Sequence, residues 1–233
     1  MVLYSPVVAS ANPVRSRRKA ASVFLGGQAM KTIVYIDGFN LYYGALRKSP
    51  YRWLNVARMC EWLLPNDDIE AIKYFTALVN PRPNDPDQRV RQELYLRALA
   101  TIPNLSIIYG YFLTHEVTMA LTEGRGFAKV IKTEEKGSDV NIATHMLMDG
   151  FRNAYDLAVV VSNDSDLLLP IRFVTEQLGK PVGLLNPQKH PASAALVPHA
   201  LFIKHIRAGV LAKSQFPNTL LDRDGEFSKP GSW

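Results

Sequence analysis

Cysteine is nearly missing from this chain. Cys60 is the single one among 233 residues, which excludes an internal disulfide framework and any multi-cysteine zinc site. That usage suits a reducing compartment, and a cytoplasmic protein is the expectation. Long apolar runs are absent too: none approaches the ~20 residues that cross a bilayer, so no membrane partner is expected. Histidines number only 5 and are unclustered, which removes a histidine-rich metal site. Acidic residues are lacking from residues 1–29, a segment that carries Arg15, Arg17, Arg18 and Lys19. Those four cations supply most of the formal charge of +6, leaving +2 for the rest. The basic balance therefore gives little support to a polyanion-binding surface on the body of the chain.

What is present, 47% hydrophobic residues, is enough to bury one substantial core. Three segments follow from composition. Residues 1–29, rich in Ser, Ala, Val and Pro, read as a disordered leader, a targeting arm, or the product of a misassigned start, because Met30 stands directly before the first strand. Residues 30–213 form the folded domain. Residues 214–233 mix Pro, Gly, Asp and Lys and read as a poorly ordered tail.

Within the domain, strand and helix patterns alternate. Strands are expected at 33–37, 69–78, 106–113, 157–162, 182–185 and, more weakly, 200–206. Helices are expected to begin near Leu41, over 56–64, after Asp85-Pro86, from Asp139 to about Gly150, and over 165–177. The spacing assigns Val90, Leu94 and Ala98 to one buried face, and Val140, Ala143 and Leu147 to another, with Ser138 as a cap. The stretch 115–135 is looser, with a short extra strand at 128–132. This alternation predicts an α/β fold with a mainly parallel sheet and right-handed crossovers.

Two strands end in acids: Ile33-Val34-Tyr35-Ile36-Asp37, and Val159-Val160-Val161-Ser162-Asn163-Asp164-Ser165-Asp166. In open parallel sheets, ligands bind beyond the carboxyl ends of the strands. Asp139 falls in a first helical turn. Each aspartate alone has an ordinary explanation as a cap or turn former; their joint placement does not. Close carboxylates resist ionising unless a cation compensates. An all-oxygen donor set suits Mg²⁺ or Mn²⁺.

The runs Tyr35-Ile36-Asp37-Gly38-Phe39-Asn40-Leu41, Glu135-Lys136-Gly137-Ser138-Asp139-Val140 and Val161-Ser162-Asn163-Asp164-Ser165-Asp166-Leu167 resemble the motifs of the NYN-domain family, in its LabA-like branch, within the PIN-like nuclease superfamily. The resemblance covers about Met30 to Ile206. It implies a Rossmann-like three-layer α/β/α fold, a metal-dependent ribonuclease activity, and an RNA partner, single-stranded or structured. Carried over by motif, Asp37, Asn40, Asp139, Asp164 and Asp166 are the expected catalytic residues. The four aspartates are the expected ligands of one or two Mg²⁺ or Mn²⁺ ions. Lys136, Ser162 and Arg82 are candidates for substrate contact, and a homodimer or protein partner is a candidate source of specificity. Asn163 stands where the family often has glycine, and since asparagine tolerates a left-handed backbone the turn is expected to survive the exchange. His145 falls where some relatives carry another aspartate.

Aromatics Phe39, Tyr42, Tyr43, Tyr51 and Trp53 are candidates for base stacking or core packing, and Arg82, Arg89, Arg91 and Arg97 for a backbone-tracking groove. The alternative class is a non-catalytic RNA-binding or regulatory scaffold of the same fold. A haloacid-dehalogenase type phosphatase is disfavoured, because Asp37-Gly38-Phe39 lacks the paired Asp-x-Asp that chemistry uses.

Overall fold

The computed structural model describes residues 29–231 and 233, so the expected leader lies almost wholly outside the described residues. The chain builds a six-stranded sheet in the order β3-β2-β1-β6-β7-β8, with every neighbouring pair parallel. Its strands are β1 (Met30–Asp37), β2 (Asp67–Thr76), β3 (Leu105–Tyr109), β6 (Leu157–Val161), β7 (Val182–Asn186) and β8 (Phe202–His205). From β1 the chain first builds outward through β2 and β3; after a later return it builds the other way through β6, β7 and β8. The sheet thus has a switch point between β1 and β6, where crevices for ligands open.

The continuous apolar runs of β1 and β6 are explained by burial on both faces. Val34, Ile36, Val159 and Val161 enter one core, while Ile33, Tyr35, Ala158 and Val160 enter the other. Helices α2 (Val56–Leu63) and α3 (Gln88–Ala100) cover the first face. Helix α4 (Ser138–Phe151) and the helical run 165–177 cover the second. The result is a three-layer α/β/α fold. No helix among the described residues is long and apolar enough to cross a membrane.

Several elements differ from expectation. In α3 the buried residues are Tyr95, Leu96, Ala98 and Leu99, and Val90 is 55% exposed. A four-residue spacing drifts around an α-helix by about 40° per step, so Val90 has rotated off the face that Ala98 shares. In α4 the buried set is Ser138, Ile142, Met146, Asp149 and Gly150, whereas Val140 is 68% exposed. A buried acid, Asp149, disguises this face as polar. The cap of α4 is Gly137, left-handed at φ 100°, and Ser138 follows it with its hydroxyl donating to Glu135 Oε1 at 2.9 Å.

The expected strand 106–113 is two strands broken at Gly110. The second, β4 (Tyr111–Ala120), pairs antiparallel with β5 (Phe127–Lys136) as a separate ribbon. Its strands are mostly exposed and bury no continuous face, so the short strand expected at 128–132 marks only the middle of β5, and the stretch 114–120 of β4 carries no period-two signal.

The C-terminal segment is folded rather than a loose tail. Strands β9 (Thr219–Asp222) and β10 (Gly225–Ser228) form a hairpin, and Phe216 and Phe227 join the first core. Arg97 pins the hairpin through Asp222, Nε to Oδ2 and Nη2 to Oδ1 at 2.7 Å each, and stands 4.1 Å from the Phe227 ring centroid. Trp53 Nε1 donates to the Pro217 carbonyl at 2.7 Å. A polar segment is held by a few long-range anchors that composition cannot reveal.

Candidate metal centre

β1 delivers Asp37 to the carboxyl end of the sheet at 6% exposure. Helix α1 (Gly38–Leu41), continued by a π-helical turn at Tyr42–Leu46, starts immediately after it. Asp37 caps that helix, with Asn40 N–H donating to Oδ1 at 2.9 Å. The second oxygen, Oδ2, accepts from the Ser162 hydroxyl at 3.1 Å. Ser162 Oγ in turn accepts from the Asp164 N–H at 3.1 Å. A short chain of hydrogen bonds therefore ties the ends of β1 and β6 across the switch point. Ser162 is 2% exposed and its hydroxyl is committed to Asp37, so its place is behind the carboxylate and not on a substrate surface.

Gly38 permits the sharp exit from β1. A Cβ there would stand 2.7 Å from the Phe75 carbonyl oxygen and 2.8 Å from the Tyr74 ring. Since a backbone carbonyl cannot swing aside, Gly38→Ala is expected to cost about 1–3 kcal/mol, measurable by urea unfolding.

Asp164 caps the 3₁₀ turn Ser165–Leu167, accepting the Asp166 N–H at 3.0 Å, and Asp166 itself is exposed. Asp139 lies half-buried in the first turn of α4. The four acids act on one another electrostatically. Burial first, and then the Asp139 and Asp164 charges, push the Asp37 carboxyl up to about 6, against the relief of its two hydrogen bonds. Burial likewise raises Asp139, with Asp164, Glu135 and Asp166 adding to it. None of the four is ion-paired among the described residues.

These observations bear on whether a hard cation suits the site. The donors are all carboxylate oxygens, they repel one another, and no side-chain cation among the described residues pairs with them, which is the chemistry Mg²⁺ or Mn²⁺ requires. Among the described residues, no group of three or more His, Cys, Asp or Glu side chains is gathered tightly enough to hold an ion in the present arrangement. The residues fit in kind and charge, and the carboxylates lie within electrostatic reach of one another without closing into a single coordination sphere.

Asn40 Oδ1 accepts from Asn163 N–H at 3.2 Å and from Gln188 Nε2 at 3.3 Å, so Asn40 ties α1 to the loops after β6 and β7. Asn163 is not left-handed; Asn153 is the positive-φ non-glycine among the described residues. Its side chain instead holds the loop after β7, accepting Ser193 N–H at 2.7 Å and donating to the Pro191 carbonyl at 3.3 Å. Lys136 ends β5 and lies 3.4 Å from Glu134. His145 stands with Nδ1 3.3 Å from Lys73 Nζ and edge-on to Phe75, away from any role as a fifth acid. Burial and the Lys73 charge lower its pKa. Of the four arginines, Arg97 serves the hairpin and Arg89 pairs with Glu93, leaving Arg82 and Arg91 on a cavity.

That cavity, about 280 Å³, adjoins α1 and is lined by the rings of Phe39, Tyr42, Tyr43, Tyr74 and Tyr95. Trp53 is wholly buried in the core and takes no part in it, whereas Phe39 also packs edge-on against Phe112 of the ribbon at 5.7 Å. Gly38, the residue after Asp37, lines the cavity and so places it beside that carboxylate, and burial and the Asp37 charge both raise the Tyr74 phenol.

Sequence reasoning missed three contributors. Glu135 is a fifth acid at the crevice, marked only by its spacing of three from Ser138. Gln188 carried no local signal. The pair Lys73–Asp149, 2.6 Å apart beneath the site, joins residues 76 positions apart.

A 6-hydroxy-3-succinoylpyridine 3-monooxygenase, HspA, of Pseudomonas putida (strain DSM 28022 / S16), is 29% identical over 241 residues, covering 90% of this chain and 77% of that protein. A crystal structure of a protein of unknown function from Vibrio parahaemolyticus RIMD 2210633 superposes with a TM-score of 0.51 at 15% identity, over 78% of this chain and 95% of that one, which supports the fold alone. The model of the NYN domain matches residues 31–204, the same stretch that carries the parallel sheet and its acidic crevice, and the chain belongs to the NYN domain family.

Proposed function

We propose that this protein is a metal-dependent ribonuclease, of the LabA-like branch of its family, acting on single-stranded or structured RNA. One observation carries the reading: a buried aspartate, Asp37, at the switch point of a parallel sheet, raised by burial and by Asp139 and Asp164, with no cation to offset it among the described residues. NYN domains belong to a nuclease-like superfamily, which supplies the reaction class.

Asp37, Asp139, Asp164 and Asp166 would hold one or two Mg²⁺ or Mn²⁺ ions. Such an ion, when bound, supplies Lewis acidity and neutralises charge on a scissile phosphate. The chain's own contribution is alignment. Ser162 and the Asn40 N–H fix both oxygens of Asp37, so its carboxylate is oriented before any ligand arrives. Asn40 spends its carbonyl on Asn163 and Gln188, which leaves its amide N–H groups to donate to a substrate oxygen. Lys136 and Arg82 provide positive charge to attract a phosphate backbone.

Incubating the full chain with labelled single-stranded RNA in Mn²⁺, in Mg²⁺ and in excess chelator tests this. Cleavage with either ion and none with chelator is the expected result. RNA retention without cleavage under every condition would instead assign the scaffold role.

The relative's name offers a second reading, oxygenation of a heteroaromatic acid. The aromatic cavity beside Asp37 is the observation that favours it. Consumption of 6-hydroxy-3-succinoylpyridine that depends on both O₂ and a reduced nicotinamide cofactor would establish that chemistry, and stable substrate under those conditions would remove it.

A further inference from the structure

The cavity next to α1 has a charge pattern that neither a core void nor a solvated surface explains. Its side-chain lining holds four arginines, Arg47, Arg52, Arg82 and Arg91, against one carboxylate, Asp85. Arg91 Nη2 satisfies that carboxylate alone, at 2.5 and 2.6 Å from its two oxygens. Three guanidinium groups therefore remain without a carboxylate partner among the described residues. Arg47 lies 5.3 Å from the Tyr43 ring centroid. Arg82 sits on the loop before α3, its backbone paired with Asp85. Arg52 is half-buried, and its Nε is buried with no hydrogen-bond partner. A buried donor left unsatisfied costs roughly 1–3 kcal/mol, so such a group marks a place where an acceptor is missing.

Much of the remaining wall is aromatic, with Leu46, Val79 and Leu96 among the other lining residues. Tyr74 and Tyr95 are nearly fully buried, with ring centroids 6.4 Å apart, and Phe39 and Tyr43 stack at 6.4 Å nearer the opening. Flat apolar walls favour a planar ring, and forked guanidinium donors favour a carboxylate in the same ligand. The volume of about 280 Å³ is at the small end for ligand pockets, which suits one ring better than a nucleotide's base, sugar and phosphate.

We propose that this cavity binds a free single-ring aromatic carboxylate, with Arg52 and Arg82 holding its carboxylate and Phe39, Tyr74 and Tyr95 its ring. The assignment concerns binding, and it bears on the oxygenation reading only by giving that reading's substrate class a seat. It stands whether or not the acidic crevice turns over RNA or oxidises anything.

The test is calorimetric titration of the metal-free full chain with benzoate. Benzamide, which lacks the charge, and cyclohexanecarboxylate, which lacks the flat ring, are the controls. Wild type is expected to bind benzoate and to bind each control at least about tenfold more weakly, a difference of ~1.4 kcal/mol for the loss of the charge or of the flat ring. Arg52→Gln and Arg82→Gln should each weaken benzoate about tenfold or more. Should Arg52→Gln lower the melting temperature sharply, Arg82→Gln on the exposed loop decides. No benzoate binding, equal affinity for cyclohexanecarboxylate, or unchanged affinity in the Arg82 variant overturns the proposal. Tighter binding of uridine 5′-monophosphate than of benzoate also overturns it, and reassigns the cavity as a base-binding subsite of the nuclease.

Discussion

Asp37→Asn is expected to raise the melting temperature of the metal-free protein at about pH 7.5 while abolishing divalent-ion-dependent cleavage. The two effects share one cause. In the folded chain the Asp37 carboxyl is raised to about 6, by burial first and then by Asp139 and Asp164, against an ordinary value near 4 when unfolded. The native state therefore holds a proton on this group that the unfolded state has already released between those two values. Stability contributed by the protonated form is present below about pH 4 and is lost as pH rises through about 6. Above that the ionised group costs up to about 3 kcal/mol, an order-of-magnitude figure from roughly 2 units at 1.36 kcal/mol each.

Asparagine removes the charge while keeping the shape and an acceptor for the Asn40 N–H. A recovery of even half that cost corresponds to a gain of several degrees for a domain of this size. Differential scanning fluorimetry between about pH 4 and pH 8 is the measurement. The wild-type midpoint should fall relative to the variant as pH rises through the window, with the two converging at the acid end. Adding Mn²⁺ should raise the wild-type midpoint and leave the variant's unchanged, because a ligand that binds only the folded state stabilises it by mass action. An unaltered pH profile in the variant would show that Asp37 is not the group under electrostatic load. Wild-type cleavage by Asp37→Asn would remove it from the proposed metal centre.

How far the sequence discloses this site depends on whether each signal is local. β1 and β6 are legible because a parallel strand buried on both faces must be apolar without interruption, and the acids that end them stand out against that run. The face of α4 is misread because it includes Asp149, which only the distant Tyr35 and Lys73 make tolerable as a buried group. The ribbon of β4 and β5 is only half legible, as the end of the strand expected at 106–113 and the short one at 128–132, because an exposed ribbon needs no alternation to extend it. The C-terminal hairpin is missed because its anchors, Arg97 to Asp222 and Trp53 to Pro217, span more than a hundred residues. Within the site the aspartates are visible and the braces are not. Asn163, read as a substitute for a left-handed glycine, keeps ordinary backbone and works through its side chain instead.

Asp149→Ala is expected to be the most destabilising single change near the site. Asp149 Oδ2 accepts from the Tyr35 hydroxyl at 2.7 Å and from Lys73 Nζ at 2.6 Å, with Tyr35 wholly buried and the Lys73 side chain 17% exposed. Truncation leaves a largely desolvated ammonium and a buried phenol without their acceptor. Breaking such a pair from one side costs about 3–5 kcal/mol, or on the order of 10 °C in melting temperature here. Asp149→Asn, which keeps an acceptor for Tyr35 and loses only the charge facing Lys73, should fall between it and wild type in urea unfolding. The consequence reaches the crevice, because Tyr35 lies two residues before Asp37 on β1 and Asp149 lies on α4, the helix that presents Asp139. The same hydrogen bonds that stabilise the fold thus set the strand of one carboxylate against the helix of another. Asp149→Asn is therefore expected to weaken Mn²⁺ affinity in calorimetry more than its loss of stability at working temperature explains, whereas affinity equal to wild type in a folded variant would confine Asp149 to the core.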